Sequence, residues 1–483
     1  MKPYLYEYLS ERRDRHIYPF HMPGHKNSRA FFNAILPCLD VTELKDTDDL
    51  YAASGVLERS MERAAKVFGA DHAFFLTNGS TAGILAVITA CVKEGEEILI
   101  ARNAHRSVYG GLILSGAYPR YIYPSVTDYG FSGGAGVEQV TEALMKFPGI
   151  RIAVITSPTY EGVVSDIRGI AKACHEKNIP LIVDEAHGAH FKFHTNFPET
   201  ALSMGADAVV QSMHKTLPAL GQSALLHIKG ALIKKTDVLR ALQLIQTSSP
   251  SYAMMATMDR TIGLLEKDAY DFDSYVKNLI KTREFIGGLK NFNIFGADMI
   301  NKFSIYGLDI SKLVIMCSTG NMTGEQLTER LVNAYKIQME THGDRYSLGM
   351  TSVADIPEGF TRLREAMTDI DKKISAGQAE HKKFSKCPQN YQISKEVLLT
   401  NYKIKNKKTA AYFINETVLS PRRAVNAKSA TLSVDACAGK ISAELIAPCP
   451  PGTPLLVPGE RISGELVEYI KNKKLKNEII VLF

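Results

Sequence analysis

The sequence is poor in the features that mark secreted and membrane proteins. Its 483 residues contain seven scattered cysteines and no Cys-x-x-Cys pair, so we expect reduced thiols in place of a disulfide framework. The N-terminus mixes Glu, Arg and Asp with its apolar residues, unlike a signal peptide, and no apolar run approaches the length of a membrane span. These absences predict a cytoplasmic protein with no membrane segment.

The sequence also has little excess of positive over negative charge. The net charge is +6, with 22% charged and 45% apolar residues, and the lysines are dispersed apart from a cluster at residues 471–476. Binding to nucleic acid needs a concentrated basic face, so we expect no nucleic-acid partner. The length allows two or three domains and a large buried core.

Residues 61–270 alternate between strand-like and helix-like segments. Helical spacing is clear at 137–147 and 167–178. The strand-like segments are 73–76, 97–101, 118–123, 152–156, 181–183, 208–211 and 224–228. This alternation predicts an α/β fold with a mostly parallel sheet and helices on both of its faces.

The rest of the chain divides around this large domain. We interpret residues 1–60 as an N-terminal segment, 271–383 as a smaller α/β domain and 384–483 as a C-terminal domain. Within the last of these, residues 421–460 show alternating strand patterns.

Lys215 and Asp184 carry the strongest chemical signal. A lysine in a mostly apolar neighbourhood has a lowered pKa, so the amine of Lys215 could form a Schiff base with an aldehyde. Asp184 follows the aliphatic run 181–183 at the predicted carboxyl end of a buried strand, where open α/β sheets bind ligands. The 31 residues from Asp184 to Lys215 leave room for one helix and one further strand, so both groups return to one sheet edge. The pair predicts a site for pyridoxal 5'-phosphate, with Asp184 beside the ring nitrogen.

A turn at residues 77–83 is the candidate phosphate site. It lies between an apolar run and a helix-like run, and so offers backbone N–H groups together with the hydroxyls of Ser80 and Thr81. It lacks the Gly-Lys-Ser/Thr of a nucleoside-triphosphate loop and the three spaced glycines of a dinucleotide-binding turn. His105 also follows a predicted strand, at the same sheet edge, where its ring could stack on a flat cofactor.

In the order and spacing of its motifs, the sequence resembles the bacterial ornithine/lysine/arginine decarboxylases, which have the aspartate-aminotransferase fold. The resemblance is to the shorter members, which lack an N-terminal response-regulator-like domain. Cys449 stands where the family usually has tyrosine, and Gly439-Lys440 replaces Gly-Arg, so entrance-side substrate contacts are expected to differ. The matching segments extend over nearly the whole chain: residues 20–26, 40–50, 78–83, 102–108, 157–160, 183–190, 212–215, 248–252 and 449–452.

The resemblance implies a role for each matching residue. Lys215 would bind the cofactor covalently, Asp184 would pair with the ring nitrogen, and His105 would stack on the ring. Ser249 would reach the phosphate of a neighbouring subunit, which implies at least a homodimer. The other cofactor contacts would be Ser80, Thr81, Ser212 and His214 at the phosphate, Ala186 beneath the ring and His187 close to it.

The resemblance also implies the reaction, which is decarboxylation of a basic L-amino acid to the amine and CO2. Arginine is our first choice of substrate, followed by lysine or ornithine, with polyamine biosynthesis as the role. The candidates for pairing with the distal cation are Glu43, Asp46 and Glu340; a bidentate carboxylate would favour guanidinium and a point contact would favour ammonium. Glu340 matches a family glutamate that approaches the substrate, with a spacing one residue longer here.

Three other interpretations remain open at this point. An aminotransferase shares the fold and the Lys215–Asp184 pair, but would bind the α-carboxylate with an arginine of the small domain. A non-catalytic protein could bind the same cofactor. A zinc hydrolase could use Asp184, His187 and His190, although this interpretation leaves Lys215 and the phosphate turn without a role.

Overall fold

The computed structural model describes residues 18–20, 26, 41–318, 322–377, 413–448 and 452–483. Most of the 20–26 motif, residue 40, Cys449 and the first part of the C-terminal domain lie outside this part of the chain. Among the described residues, no helix is both long enough and apolar enough to cross a bilayer.

The described elements alternate along most of the chain. The strands are β1 (Tyr18–Phe20), β2 (His72–Leu76), β3 (Glu97–Ala101), β4 (Tyr118–Ile122), β5 (Ile150–Thr156), β6 (Val163–Val164), β7 (Leu181–Asp184), β8 (Ala208–Ser212), β9 (Ala224–Ile228), β10 (Phe292–Ile294), β11 (Gly307–Leu308), β12 (Lys312–Cys317), β13 (Ile337–Met339), β14 (Thr341–His342), β15 (Tyr346–Met350), β16 (Ser429–Ser433) and β17 (Glu478–Leu482). The helices are α1 (Val56–Phe68), α2 (Gly79–Cys91), α3 (Arg106–Ser115), α4 (Val137–Lys146), α5 (Ile167–His175), α6 (Met213–Thr216), α7 (Lys235–Ile245), α8 (Tyr252–Glu266), α9 (Phe272–Gly287), α10 (Gly324–Tyr335), α11 (Pro357–Ser375), α12 (Pro421–Asn426) and α13 (Gly464–Asn472).

A seven-stranded sheet with the order β2-β9-β8-β7-β5-β3-β4 forms the centre of the large domain. The pairings β3–β4, β3–β5, β5–β7 and β7–β8 are parallel, whereas β9 is antiparallel to both β2 and β8. Two antiparallel steps restore the direction, so β2 runs the same way as β8. Six strands therefore end at one edge of the sheet. Asp184 lies in register with Thr156 of β5 and Val210 of β8 at this edge.

Both faces of the central sheet are buried. In β5, Ala153 and Ile155 belong to one hydrophobic cluster, while Ile152 and Val154 belong to a second cluster on the opposite face. Successive strand residues point to opposite faces, which is why these strands read as continuous aliphatic runs. Each buried aliphatic side chain contributes about 1.5–3 kcal/mol, so two-sided burial holds the strand ends firmly.

The smaller domains are built on their own sheets. Strands β10-β12-β15-β14 form a four-stranded antiparallel sheet. Helix α10 beside it begins with a capping box, in which the Thr323 side chain accepts from the Gln326 N–H and the Gln326 side chain accepts from the Thr323 N–H. The C-terminal unit pairs β16 with β17 around a separate core that includes Ile446, Leu456 and Ile479.

The strands predicted between residues 61 and 270 are all present, with ends that differ by no more than two residues. Two connections differ from expectation. Between Asp184 and Lys215 the chain forms β8 but only the short 3-10 turn Phe191–Phe193 in place of a helix; Gly188 and Pro198 in this segment disfavour an α-helix. The segment 421–460, expected to contain strands and turns, begins with helix α12. Pro421 favours this helix because its fixed φ suits the first helical position.

Candidate active site

The carboxyl edge of the central sheet collects most of the predicted residues. Each lies at the end of a parallel strand or in the segment directly after it, so the sheet itself sets their relative positions. In the order of the strands across the sheet they are Ser80 after β2, Ser212 and Lys215 at β8, Asp184 at β7 and His105 after β3. Tyr160, which was not predicted, follows β5 at the same edge.

Lys215 lies in the short helix α6 and contacts His187. The Nζ atom of Lys215 is 3.0 Å from Nε2 of His187. Burial first, and then the positive charge of Lys215, lowers the pKa of His187 well below its usual value, so this imidazole is neutral. Nε2 then accepts from the lysine and the ring proton lies on Nδ1. Nδ1 is itself buried and has no hydrogen-bond partner within the described residues.

Asp184 is the last residue of β7 and is 5% exposed. Its Oδ1 atom accepts from the Ala186 N–H at 3.2 Å. Burial raises the pKa of Asp184, while the charge of Lys215 lowers it. A buried carboxyl group with this environment is ionised most readily when a cationic N–H approaches it, as a protonated pyridine ring would. The residues at this position therefore fit the predicted cofactor.

Two of the predicted phosphate residues meet at the start of α2. The hydroxyl oxygens of Ser80 and Ser212 are 2.5 Å apart, although 132 residues separate them in sequence. The side chain of Asn78, which precedes α2, does not cap the helix, so the first N–H groups of α2 remain available for an anion. Thr81 is exposed on this first turn. His214, two residues after Ser212, donates from Nδ1 to the Ser223 carbonyl at 2.9 Å, which fixes the orientation of its ring.

His105 caps helix α3 with its ring. Its Nδ1 atom accepts from the Ser107 N–H at 3.2 Å and lies 2.9 Å from the Ser107 hydroxyl. Burial, followed by the charges of Lys215 and Arg106, lowers the pKa of His105 to about 4. We assign the neutral form with its proton on Nε2, which is the form suited to stacking on a flat ring beside a cation.

The three residues of the zinc-hydrolase interpretation are engaged separately. His190 contacts Asp309 at 3.1 Å, whereas His187 contacts Lys215. Asp309 also accepts from the buried Lys312, and these two partners hold the pKa of Asp309 well below its usual value. Within the part of the chain that the structure describes, no three His, Cys, Asp or Glu side chains are grouped to hold a metal ion.

Glu340 lies on the small-domain side of the site. Its Oε1 atom accepts from the Tyr160 hydroxyl at 2.7 Å. The Tyr160 ring in turn meets the His187 ring edge-on, with 5.0 Å between centroids. Glu340 is therefore connected to Lys215 through the side chains of Tyr160 and His187, although it is distant from both in sequence.

Glu43 and Asp46 lie on the surface that also carries Ser249. The Tyr252 hydroxyl donates to the Asp48 carbonyl at 2.6 Å, and the Tyr51 hydroxyl donates to the Thr247 carbonyl at 2.6 Å. These bonds fasten the acidic segment 41–51 to the turn at 247–252. Within this surface Asp46 and Ser249 are exposed and Glu43 is half-buried.

Sequence reasoning gave no role to Tyr160, Lys312 or Asp309. Tyr160 follows β5 at the same edge as the other residues, so the rule that found Asp184 could have found it. Lys312 donates to the His187 carbonyl at 3.3 Å across 125 residues of sequence. No local pattern marks such a contact, because it depends on how the small domain packs against the sheet.

The fold and the site together define a class of protein. A lysine, an aspartate and a histidine at the carboxyl edge of a mostly parallel sheet, beside a turn of small and hydroxyl-bearing residues at a helix N-terminus, are the arrangement of fold-type I pyridoxal-phosphate enzymes. Comparison with known proteins narrows this class. Residues 3–312 match the model of the Orn/Lys/Arg decarboxylase major domain, and residues 405–478 match the C-terminal domain of the same family.

The chain belongs to the Orn/Lys/Arg decarboxylase family. It is thus a pyridoxal-phosphate-dependent amino-acid decarboxylase by class, which confirms the predicted family and fold. An arginine decarboxylase of Bacillus subtilis (strain 168) is 29% identical over 476 residues, covering 96% of this chain and 92% of the relative. The uncharacterized protein YaaO of the same organism is 32% identical over 479 residues, covering 96% and 93%.

Solved structures show the same fold. The lysine decarboxylase LdcF of Francisella novicida superposes with a TM-score of 0.77 at 19% identity, covering 94% of this chain and 76% of that one. The ureidoglycine-glyoxylate aminotransferase of Bacillus subtilis superposes with a TM-score of 0.56 at 14% identity, covering 76% and 95%. At these identities the likeness extends to the fold alone, so decarboxylases and aminotransferases are not distinguished by it.

Proposed function

We propose that this chain decarboxylates a basic L-amino acid to the corresponding amine and CO2, with pyridoxal 5'-phosphate bound at Lys215. The observation that carries the proposal is the Lys215–His187 contact beside the buried Asp184 carboxyl group. Arginine is the first choice of substrate, and the similarity to a Bacillus subtilis arginine decarboxylase supports it. Lysine and ornithine follow.

The chain's own residues would hold and orient the cofactor. When bound, pyridoxal phosphate supplies a sink for the electron pair released as the bond from Cα to the carboxylate breaks. Asp184 would keep the ring nitrogen protonated, and the neutral ring of His105 would cover the ring without repelling that positive charge. Ala186 would lie beneath the ring. The phosphate would be held by Ser80, Thr81, Ser212 and His214.

Lys215 and His187 would handle the proton that replaces CO2 at Cα. The amine of Lys215 would donate this proton, and Nε2 of His187 lies 3.0 Å from the amine. Because burial and nearby positive charge keep His187 neutral, this ring can accept a hydrogen bond and hold the amine in position. Lys312 holds the backbone of His187 by donating to its carbonyl.

Recognition of the substrate's distal cation would fall to acidic side chains. Glu340 is the best placed within one copy of the chain, since the Tyr160 hydroxyl orients one carboxylate oxygen and connects it to the Lys215 centre. A carboxylate held in this way can form the paired hydrogen bonds that favour guanidinium over ammonium. Glu43 and Asp46 would act from the surface that also carries Ser249.

Ser249 supports an assembly of at least two chains. It is exposed at the end of the turn that holds the acidic segment, and it would reach the phosphate of a neighbouring copy. The test is to mix the Lys215→Ala and Ser249→Trp variants under conditions that exchange subunits. Partial recovery of activity would support shared sites; no recovery, with exchange demonstrated by light scattering, would contradict them. A cytoplasmic location and a role in polyamine biosynthesis complete the proposal.

The reaction is tested by measuring CO2 release from arginine, lysine and ornithine in parallel, with added pyridoxal phosphate. We expect rapid release from arginine and its loss, by about 10⁴-fold or more, in Lys215→Ala. Lys235→Ala, which changes an exposed lysine in the first turn of α7, is the control and should keep full activity. No release from any of the three, with the cofactor bound to Lys215, would overturn the proposal and favour transamination.

A further inference from the structure

The C-terminal unit is fastened to the loop that carries His105. Arg102 directly follows β3, is fully buried and donates to the Pro454 carbonyl at 2.7 Å. Its guanidinium also pairs with Glu460 at 3.2 Å. An ion pair without access to water is favourable only in a well-defined geometry, so this contact fixes the segment 452–460 against the end of β3.

Hydrogen bonds to backbone atoms also join the segment 452–460 to the His105 loop. The Arg106 N–H donates to the Gly452 carbonyl at 3.0 Å, and the Thr453 hydroxyl donates to the Asn103 carbonyl at 3.3 Å. These two bonds lie on either side of His105 in sequence. The loop that presents the ring is therefore held by another domain as well as by the sheet.

Gly452 lies directly against the edge of the His105 ring. A Cβ atom placed on Gly452 would lie 2.9 Å from Cδ2 and 3.0 Å from Nε2 of His105, closer than side chains normally approach. The opposite edge of the ring, at Nδ1, is held by Ser107. The ring is thus confined on two edges, one by its own helix and one by the C-terminal unit.

We propose that Gly452 is a positioning residue for His105, and that the C-terminal unit sets the orientation of the ring that stacks on the cofactor. The inference rests on the proposed function for the stacking role of His105. A side chain at position 452 would push the ring away from its place, and a ring displaced by even part of an ångström loses much of its stacking contact. The absence of a side chain at this position is therefore a requirement of the site.

A purely structural role for Gly452 makes a different prediction. Gly452 has φ +81°, a conformation in which a Cβ atom causes strain wherever it occurs. Gly439 in the same C-terminal unit has φ +80°, and no atom lies within 4 Å of a Cβ placed there. Gly439→Ala therefore introduces the same backbone strain without the contact to His105, and is the matched control.

The first experiment measures the dissociation constant for pyridoxal phosphate, by absorbance titration of the full chain, in a cycle of Gly452→Ala and His105→Ala. We expect Gly452→Ala to raise this constant about tenfold, the scale of one ring-stacking contact. In the His105→Ala background the same change should have an effect of less than about twofold, since the partner it displaces is absent. Gly439→Ala should leave the constant unchanged. An equal loss in both backgrounds, or with Gly439→Ala, would overturn the proposal.

The second experiment needs no cofactor, so it separates this proposal from the proposed function. In the full chain with carbon-13-labelled histidines, the His105 ring signals are identified by their loss in His105→Ala. Gly452→Ala should move these signals and raise the pKa of His105 above about 4, because a displaced ring gains access to water. Unchanged signals would contradict the inference even if the wild type binds cofactor.

The same cycle remains informative if Gly452→Ala alone does not fold. Removing the His105 ring makes room for the new Cβ atom. The double variant should then fold and match Gly439→Ala in its thermal unfolding midpoint, whereas a double variant that also fails to fold would overturn the proposal.

Discussion

The site has two sides that differ in origin. One side is the edge of the central sheet, where Asp184 ends one parallel strand and Lys215 lies in the short helix that follows the neighbouring strand. The other side is a cover contributed by distant parts of the chain, with Glu340 from the small domain and Gly452 from the C-terminal unit. Under the proposed function, the sheet side would carry the chemistry that the whole cofactor class shares, and the cover would carry contacts that can differ between members. Substitutions on the two sides should therefore affect different measured quantities.

After the loss of Lys215 itself, the largest effect is expected on the sheet side, for Asp184→Asn. Removing one partner of a buried ion pair costs about 3–4 kcal/mol, which corresponds to a fall in kcat of about 10²- to 10³-fold. The measurement is steady-state CO2 release with the cofactor demonstrably bound. Asp166→Asn is the control, because Asp166 caps α5 and asparagine caps a helix equally well. A wild-type kcat for Asp184→Asn would show that the carboxylate has no part in the electron sink.

The stability of the cover should depend on the buried ion pair that attaches it to the sheet. Glu460→Gln leaves the buried Arg102 without its counter-charge, and we expect the free energy of unfolding of the C-terminal unit to fall by about 3 kcal/mol. Glu416→Gln is the control, since Glu416 and Arg461 form an exposed pair in the same unit, worth at most about 1 kcal/mol. Hydrogen exchange of the 452–460 amides measures both. Equal protection in the two variants would indicate that the buried pair does not hold the cover.

Substrate recognition should depend on the cover and leave the chemistry intact. Glu340→Gln removes a charge that would pair with the distal cation, and a charged hydrogen bond contributes about 1.5–3 kcal/mol, so KM for arginine should rise about 10- to 100-fold. The rate at saturation should change much less. Glu325→Gln, an exposed change in the same domain, is the control. A fall in kcat with unchanged KM would instead place Glu340 in the chemical step.

The smallest effect concerns Glu185, which is adjacent to Asp184 and buried against the Gln211 amide and the Ala201 N–H. Burial raises the pKa of Glu185 to about 8, from 4.5 for a free side chain. Between these values the folded protein holds a proton that the unfolded chain has released, so stability falls as pH rises through this window. From pH 7 to pH 8 the free energy of unfolding should fall by about 1 kcal/mol more in the wild type than in Glu185→Gln.

Urea unfolding at the two pH values measures the Glu185 effect. Glu138→Gln, an exposed change in α4, should keep the wild-type dependence on pH. Parallel curves for the wild type and Glu185→Gln would show that Glu185 is already ionised in the folded protein at neutral pH.

The two sides also differ in how far the sequence predicts them. Asp184 was placed from the aliphatic run before it, because a buried strand fixes where its last residue lies. The Ser80 turn was found from its position between a strand and a helix, but its contact with Ser212 depends on β2 and β8 running in the same direction on either side of β9. The helix expected between Asp184 and Lys215 is absent, yet both residues still reach the same edge. The pairing of β7 with β8 sets the positions of the two residues, whatever the structure of the segment that joins the strands.

The sequence by itself determined the family, the parallel sheet and the identity of the residues at its carboxyl edge, since these depend on short-range patterns of apolar and polar residues. Only the tertiary structure decided which distant side chains complete the site. The Tyr160–Glu340 bond spans 180 residues and the Arg102–Glu460 pair spans 358. Contacts of this length leave no periodic signal in the sequence, because they arise when separately formed domains pack against one another.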